Sequence, residues 1–322
     1  MEDYHLFAWQ GIACEVPAAW NLAQYKVADR VSYACLHDDF SRRLDLEWLY
    51  ARRPIKADAV RRRYDKIASS MSASGAAAES LEDMPGGWSA CLYSMPDNKR
   101  LLAAFRLVPE KNFFCLLKMY FDNASKREAE RIARRIAETF RLHEHGPVSW
   151  AVYDIAFQLR NDFRLTATSF QAGQKLLIFE WKLRRLYLWF FSLADMLMKK
   201  QPIEKWCAEY LNGFKAISGV KFSAAGDGEI FSLAQWWRLF GNLEPLTRGC
   251  LRYKSWCRLL PEKNQIFLGV FNYRREGDFS FLASGLEQTL APYSACKKND
   301  FQAILPQETI FNKGYPEKAE RK

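Results

Sequence analysis

The feature that most constrains this chain is a pair of identical turns half a chain apart, Pro109-Glu110-Lys111-Asn112 and Pro261-Glu262-Lys263-Asn264. Each joins two apolar, strand-like runs: Leu101–Phe105 and Phe113–Leu117 in the first case, Cys250–Leu259 and Ile266–Phe271 in the second. Proline presets φ for a turn and asparagine tolerates the left-handed conformation that closes it, so both read as hairpin loops. Other blocks recur in the same order. Asp154–Leu165 repeats the pattern of Gly11–Leu22, Arg184–Leu188 that of Arg42–Leu46, and Pro202-Ile203 that of Pro54-Ile55. The period far exceeds that of a solenoid unit, so a whole globular domain is doubled. A length of 322 residues suits two such domains.

Periodicity fills in the elements. Gly11–Pro17 is a short strand, Asn21–Leu36 a less regular one, and Arg43–Trp48 alternates so that Leu44, Leu46 and Trp48 share one face. Asp45 and Glu47 are expected on the opposite, wet face. Val60, Tyr64, Ile67 and Met71 make a helical stripe, and Ser72–Gly87 reads as a loop. Ser125–Glu128 is a capping box opening a second helix, with Glu130 and Arg134 at supporting spacing. In the second half Ile203, Trp206, Cys207, Tyr210 and Phe214 form a stripe, and Asp278–Leu290 is a closing helix. The expected fold class is α+β: two tandem duplicated domains, each an antiparallel sheet with two helices in the order β-β-β-α-β-β-β-α. The first copy covers 1–143, the second, with a Trp-rich insertion, 147–296, and a polar tail 297–322. His143–Pro147 is the linker.

That element order, with an opening strand ending in Val16-Pro17 and Trp20 three residues on, resembles the PsbP-like fold. The second copy has Arg160 where the first has Pro17. The resemblance implies a binding scaffold and no particular active site, and it carries over no functional residue.

The copies differ where Asp45 and Glu47 become Tyr187 and Trp189, which turns a polar sheet face aromatic. The segment Leu233–Phe240 has Leu233, Trp236, Trp237 and Phe240 at helical spacing and is expected to cover that face, unless the partner domain does. Trp236, Trp237 and Phe240 are also the candidate partner-binding residues, the alternative being plain core.

Charge points in the same direction. Residues 1–146 hold 22 Lys/Arg against 20 Asp/Glu, and residues 147–322 hold 25 against 17. A one-sided surplus fits an acidic partner, or serves only solubility. Arg61–Arg63, and Lys126, Arg127, Arg131, Arg134 and Arg135, form basic clusters in the first half. Lys182, Arg184, Arg185, Arg252, Lys254, Arg274 and Arg275 are the candidate anion-binding set in the second, near Trp181 and Trp256.

Signals for chemistry are sparse. His143 and His145 flank Glu144 with no further ligand type nearby, so no metal is expected. Eight cysteines show no zinc-like pairing and mostly sit in apolar runs. No nucleotide or hydrolase fingerprint occurs, and no cofactor is expected. Met1-Glu2-Asp3 opens no signal peptide, and Leu186–Ala194 is too short to span a bilayer, so the reading is cytoplasmic. The leading expectation is a non-catalytic accessory protein or complex subunit with a protein partner. The alternatives are nucleic-acid or anionic-surface binding through the basic second half, and an enzyme with its site between the domains.

Overall fold

The computed structural model describes residues 3–27, 31–55, 57–143, 145–217, 221–224, 230–232, 252–273, 277–278 and 282. The chain opens with the hairpin β1 (Tyr4–Trp9) and β2 (Ile12–Pro17), followed by β3 (Asn21–Val27), β4 (Ser32–His37) and β5 (Arg42–Tyr50). Helix α1 (Ala57–Ala73) leads into β6 (Ala77–Leu81), β7 (Ser89–Ser94), β8 (Lys99–Val108) and β9 (Phe113–Asp122). Helix α2 (Lys126–Thr139) and the short β10 (Arg141–Leu142) complete the first half. Next come β11 (Pro147–Val152), β12 (Ile155–Arg160), β13 (Arg164–Gln171), β14 (Gln174–Trp181) and β15 (Arg184–Ser192). Helices α3 (Ala194–Met198) and α4 (Ile203–Gly213) precede β16 (Ile230–Ser232), β17 (Arg252–Leu260) and β18 (Gln265–Tyr273).

The expected α+β balance, with two helices set against one sheet in each copy, is therefore overturned. Among the described residues eighteen strands stand against four helices. They form three sheets with every pairing antiparallel. Ser72–Gly87, expected as a loop, contains the edge strand β6, and Asn21–Leu36, expected as one strand, is two, β3 and β4. Residues 4–9 and 148–152, to which periodicity assigned no element, belong to β1 and β11.

The seven-stranded sheet runs β3-β4-β5-β9-β8-β7-β6 and the six-stranded one β13-β14-β15-β18-β17-β16. Their shared order is accompanied by shared detail. A bulge falls between Leu22 and Gln24 in one sheet and between Leu165 and Ala167 in the other. Pro109–Lys111 and Pro261–Lys263 each form one 3₁₀ turn closed by a left-handed asparagine, Asn112 (φ 47°) and Asn264 (φ 49°).

The third sheet, β10-β2-β1-β11-β12, draws strands from both halves. Strand β1 pairs with β11 through Ala8 and Ala151, and each is the first arm of a hairpin. Trp9 meets Trp150 edge to face at 5.2 Å and Tyr25 at 5.2 Å, while Trp150 meets Phe179 at 4.9 Å. One hydrophobic core consequently includes Leu44, Leu117 and Ile136 of the first half with Phe157, Leu188 and Phe267 of the second. The outer strands β3 and β13 also meet, with the Thr168 and Tyr25 hydroxyls 2.9 Å apart, and the Tyr153 hydroxyl, in the turn between β11 and β12, donates to the Leu22 carbonyl of β3.

Two helices cover outer sheet faces. Val60 of α1 is buried, and Tyr64, Ile67 and Met71 pack on the first sheet as their spacing predicts. On the second sheet, Trp206, Tyr210 and Phe214 of α4 and its C-terminus meet Trp189 and Phe191 edge to face. The aromatic face is thus covered by α4; the segment 233–240 lies outside the described residues. The closing helix also lies outside them, apart from Asp278 and Leu282. Edge strand β6 is exposed at four of its five residues.

In β18, Gly269 faces Trp256 across the ladder, and a Cβ there would stand 2.5 Å from the indole. We therefore expect Gly269→Ala to cost about 1–3 kcal/mol by overpacking, measured as a lower urea midpoint at unchanged slope. Trp150→Ala should cost about 3–5 kcal/mol, and because the core is shared it should lower one common transition. A biphasic melt would contradict that.

Candidate functional site

Of the carboxylate pair expected on a wet strand face, Glu47 is half-buried and Asp45 is 3% exposed, enclosed by Tyr33, Arg42 and Tyr120 of its own and neighbouring strands. Its Oδ1 accepts from Tyr33 Oη at 2.9 Å and Arg42 Nε at 2.7 Å; its Oδ2 accepts from Tyr120 Oη at 2.9 Å and from Arg42 Nη2. Four donors fill the four acceptor positions of a carboxylate, so no position is left to take a proton from a substrate. Burial, followed by the Asp45 charge, pushes the Tyr120 phenol above its ordinary value. Glu47 is bound to Arg63 of α1. The Glu47 pair ties α1 to the sheet, and the Asp45 network ties β4, β5 and β9 to one another.

The turn that joins β4 to β5 is organised differently. Asp38 Oδ1 accepts the backbone N–H of Phe40 at 2.9 Å and of Ser41 at 2.7 Å. Asp38 N donates to Ser41 O at 3.0 Å, and Arg43 Nε reaches Asp38 Oδ2 at 2.5 Å. Asp122, at the end of β9, accepts from Ser41 Oγ at 3.1 Å and Arg43 Nη1 at 3.0 Å. Asp with Ser two or three residues on is the local side-chain-to-backbone turn these residue types favour. On this fixed turn Phe40 is 91% exposed. Sequence reasoning assigned no turn here and did not single out Phe40, whose signal was an aromatic between two polar turn residues.

The basic clusters fare unequally. On α2, Arg135 is bound to Glu15, Lys126 to Glu79 and, at 3.8 Å, to Glu130. Arg134 donates to the carbonyls of Asp83 and Glu82 at 2.8 and 3.1 Å in place of the expected Glu130. Tyr4, Arg127, Glu130, Arg131 and Glu138 are among the residues lining a shallow surface groove of about 420 Å³ along this helix. In the second sheet Lys182, Arg184, Arg185, Arg252 and Lys254 do come to one end, since Leu186, just past Arg185, and Lys254 both pair with Phe271, and Arg252 pairs with Tyr273 beyond it. Arg184 is bound to Asp278 at 2.7 Å. Arg274, Arg275, Trp236, Trp237 and Phe240 lie outside the described residues.

His143 Nε2 lies 3.1 Å from the Gly146 carbonyl. Among the described residues no three His, Cys, Asp or Glu side chains gather to hold a metal ion, and the six described cysteines are buried thiols. No described helix is long and apolar enough to cross a membrane.

No protein-family model matches the chain, and no curated protein does. Among solved structures it is similar to the immunity protein TplEi of the T6SS from Pseudomonas aeruginosa, complexed with an "L" peptide. The identity is 11% and the TM-score 0.31, over 84% of this chain and 86% of that one.

Asp38 yields a pH test. Burial alone would raise its pKa, but the N–H groups of Ser41 and Phe40 and the Arg43 guanidinium outweigh it and hold the carboxyl below its ordinary value. A depressed native pKa means stability present above the unfolded pKa and lost as pH falls through the native one. Asp38→Asn should cost about 1 kcal/mol at neutral pH, and its deficit against wild type should close as acid titration passes below about pH 4. Parallel denaturant midpoints at several pH values measure this.

Proposed function

We propose that the protein acts by binding another protein, as a non-catalytic accessory or complex-forming subunit built on two copies of one ancestral unit. Phe40 supports this most directly. On a flexible loop an exposed phenylalanine folds back onto the surface. Here the hydrogen bonds to Asp38 and Asp122 hold the turn, so the ring stands in water. Pre-organised aromatics are the side chains that anchor interfaces, because little entropy remains to be lost on contact. Asp39, exposed beside it, sets the partner's chemistry: an apolar pocket with a cationic rim. The saturated hydrogen bonding of Asp45 supports the non-catalytic part of the reading.

The test is capture by the full chain from extract of its native host, followed by calorimetric titration of the purified captured protein. Phe40→Ala should weaken binding by about 30-fold or more, the range of an interface hot spot, with an unchanged denaturation midpoint. Equal affinity for wild type and Phe40→Ala would overturn the assignment.

A further inference from the structure

The turn between β14 and β15 occupies the same place in its sheet as the Phe40 turn but carries the opposite charge. Trp181 and Arg184 pair across it, and Lys182 takes the left-handed conformation, φ 56°. Leu183 at its apex is 60% exposed. The Lys182 ammonium lies 5.3 Å and the Arg184 guanidinium 4.8 Å from the Trp181 ring centroid. Arg185 follows directly, and Lys254 stands level with Leu186 two strands away, through Phe271. Of the acids at this end, Asp278 is bound by Arg184 and Asp162 by Arg160, while Glu180 faces Arg185 and Arg164 in the ladder.

We propose that this corner docks on an anionic lipid surface, with Leu183 entering the interfacial layer and Lys182 and Arg185 meeting the headgroups. An aliphatic apex flanked by cations has little to offer a nucleic acid, which calls for aromatic faces open to stacking. Here the Trp181 ring already carries two cations. A convex tip with a single exposed leucine likewise suits a soft, deformable layer in which apolar burial and charge add. The inference goes beyond the protein-binding reading and does not rest on it.

Sedimentation of the full chain with phosphatidylcholine vesicles, with and without phosphatidylserine, tests the proposal. Binding is expected to require phosphatidylserine and to fall as salt rises. Leu183→Asp should lower the partition coefficient about tenfold or more, from lost apolar burial and added repulsion. Lys182→Asn, which keeps the left-handed turn, should lower it about fivefold. Circular dichroism confirms that the variants fold, and Leu183→Ser replaces the aspartate variant if that one does not. Three results would overturn the proposal: no sedimentation at low salt, a partition that Leu183 variants leave unchanged, or equal binding to vesicles lacking phosphatidylserine. Stronger binding to a single-stranded oligonucleotide, undiminished in the Leu183 variants, would assign the corner to nucleic acid and would overturn it too.

Discussion

Everything else hangs on the pairing of β1 with β11. Through Ala8 and Ala151 two hairpins from opposite halves become one sheet, and the tryptophans next to those alanines close the seam. Small residues at the crossing let the backbones pair, and large ones beside it supply buried area, since an aromatic side chain removes about 150–250 Å² from water. The two larger sheets then share one interior. A chain whose halves had separate interiors would be free to hinge between them; this one is tied at its centre.

The tie explains where polar groups end up. Because inner faces are consumed by the common core, charged residues of the strands can only go to outer faces, and those are covered by α1 and α4. Asp45 and Glu47 therefore lie on the outer face, each matched to an arginine, Arg42 of the same strand and Arg63 of α1. In the other half the corresponding positions are Tyr187 and Trp189, matched to the aromatic stripe of α4. The first face is matched by charge and hydrogen bonds, the second by aromatic contact.

Much of this architecture was legible in the residues themselves. The proline and asparagine of the two hairpin turns carry their conformations with them, and alternation in Arg43–Trp48 located the inward face. Helical stripes in α1, α2 and α4 were equally plain, as was the Ser125 cap, which accepts the Glu128 N–H at 3.1 Å. What was hidden had no local signal. Tyr4–Trp9 is a strand because Ile12–Pro17 and Pro147–Val152 lie beside it, and only the second of those pairings is distant in sequence. Ala77–Leu81 has weak strand propensity and is held by β7. The burial of Asp45 depends on Tyr120, seventy-five positions away. Of the candidate site residues, the basic set gathered partly as its spacing in the two strands allowed. Phe40 was missed because exposure of an aromatic is a property of the turn's hydrogen bonds, which composition does not show.

The exposed rim at β6 has a consequence for crowding. An unpaired strand edge is a template on which neighbouring molecules add strands of their own. Glu79 sits in the middle of that edge, held by Lys126 of α2. A charged pair there must be stripped of water before another chain can align, which is one of the devices by which sheet edges discourage strand addition.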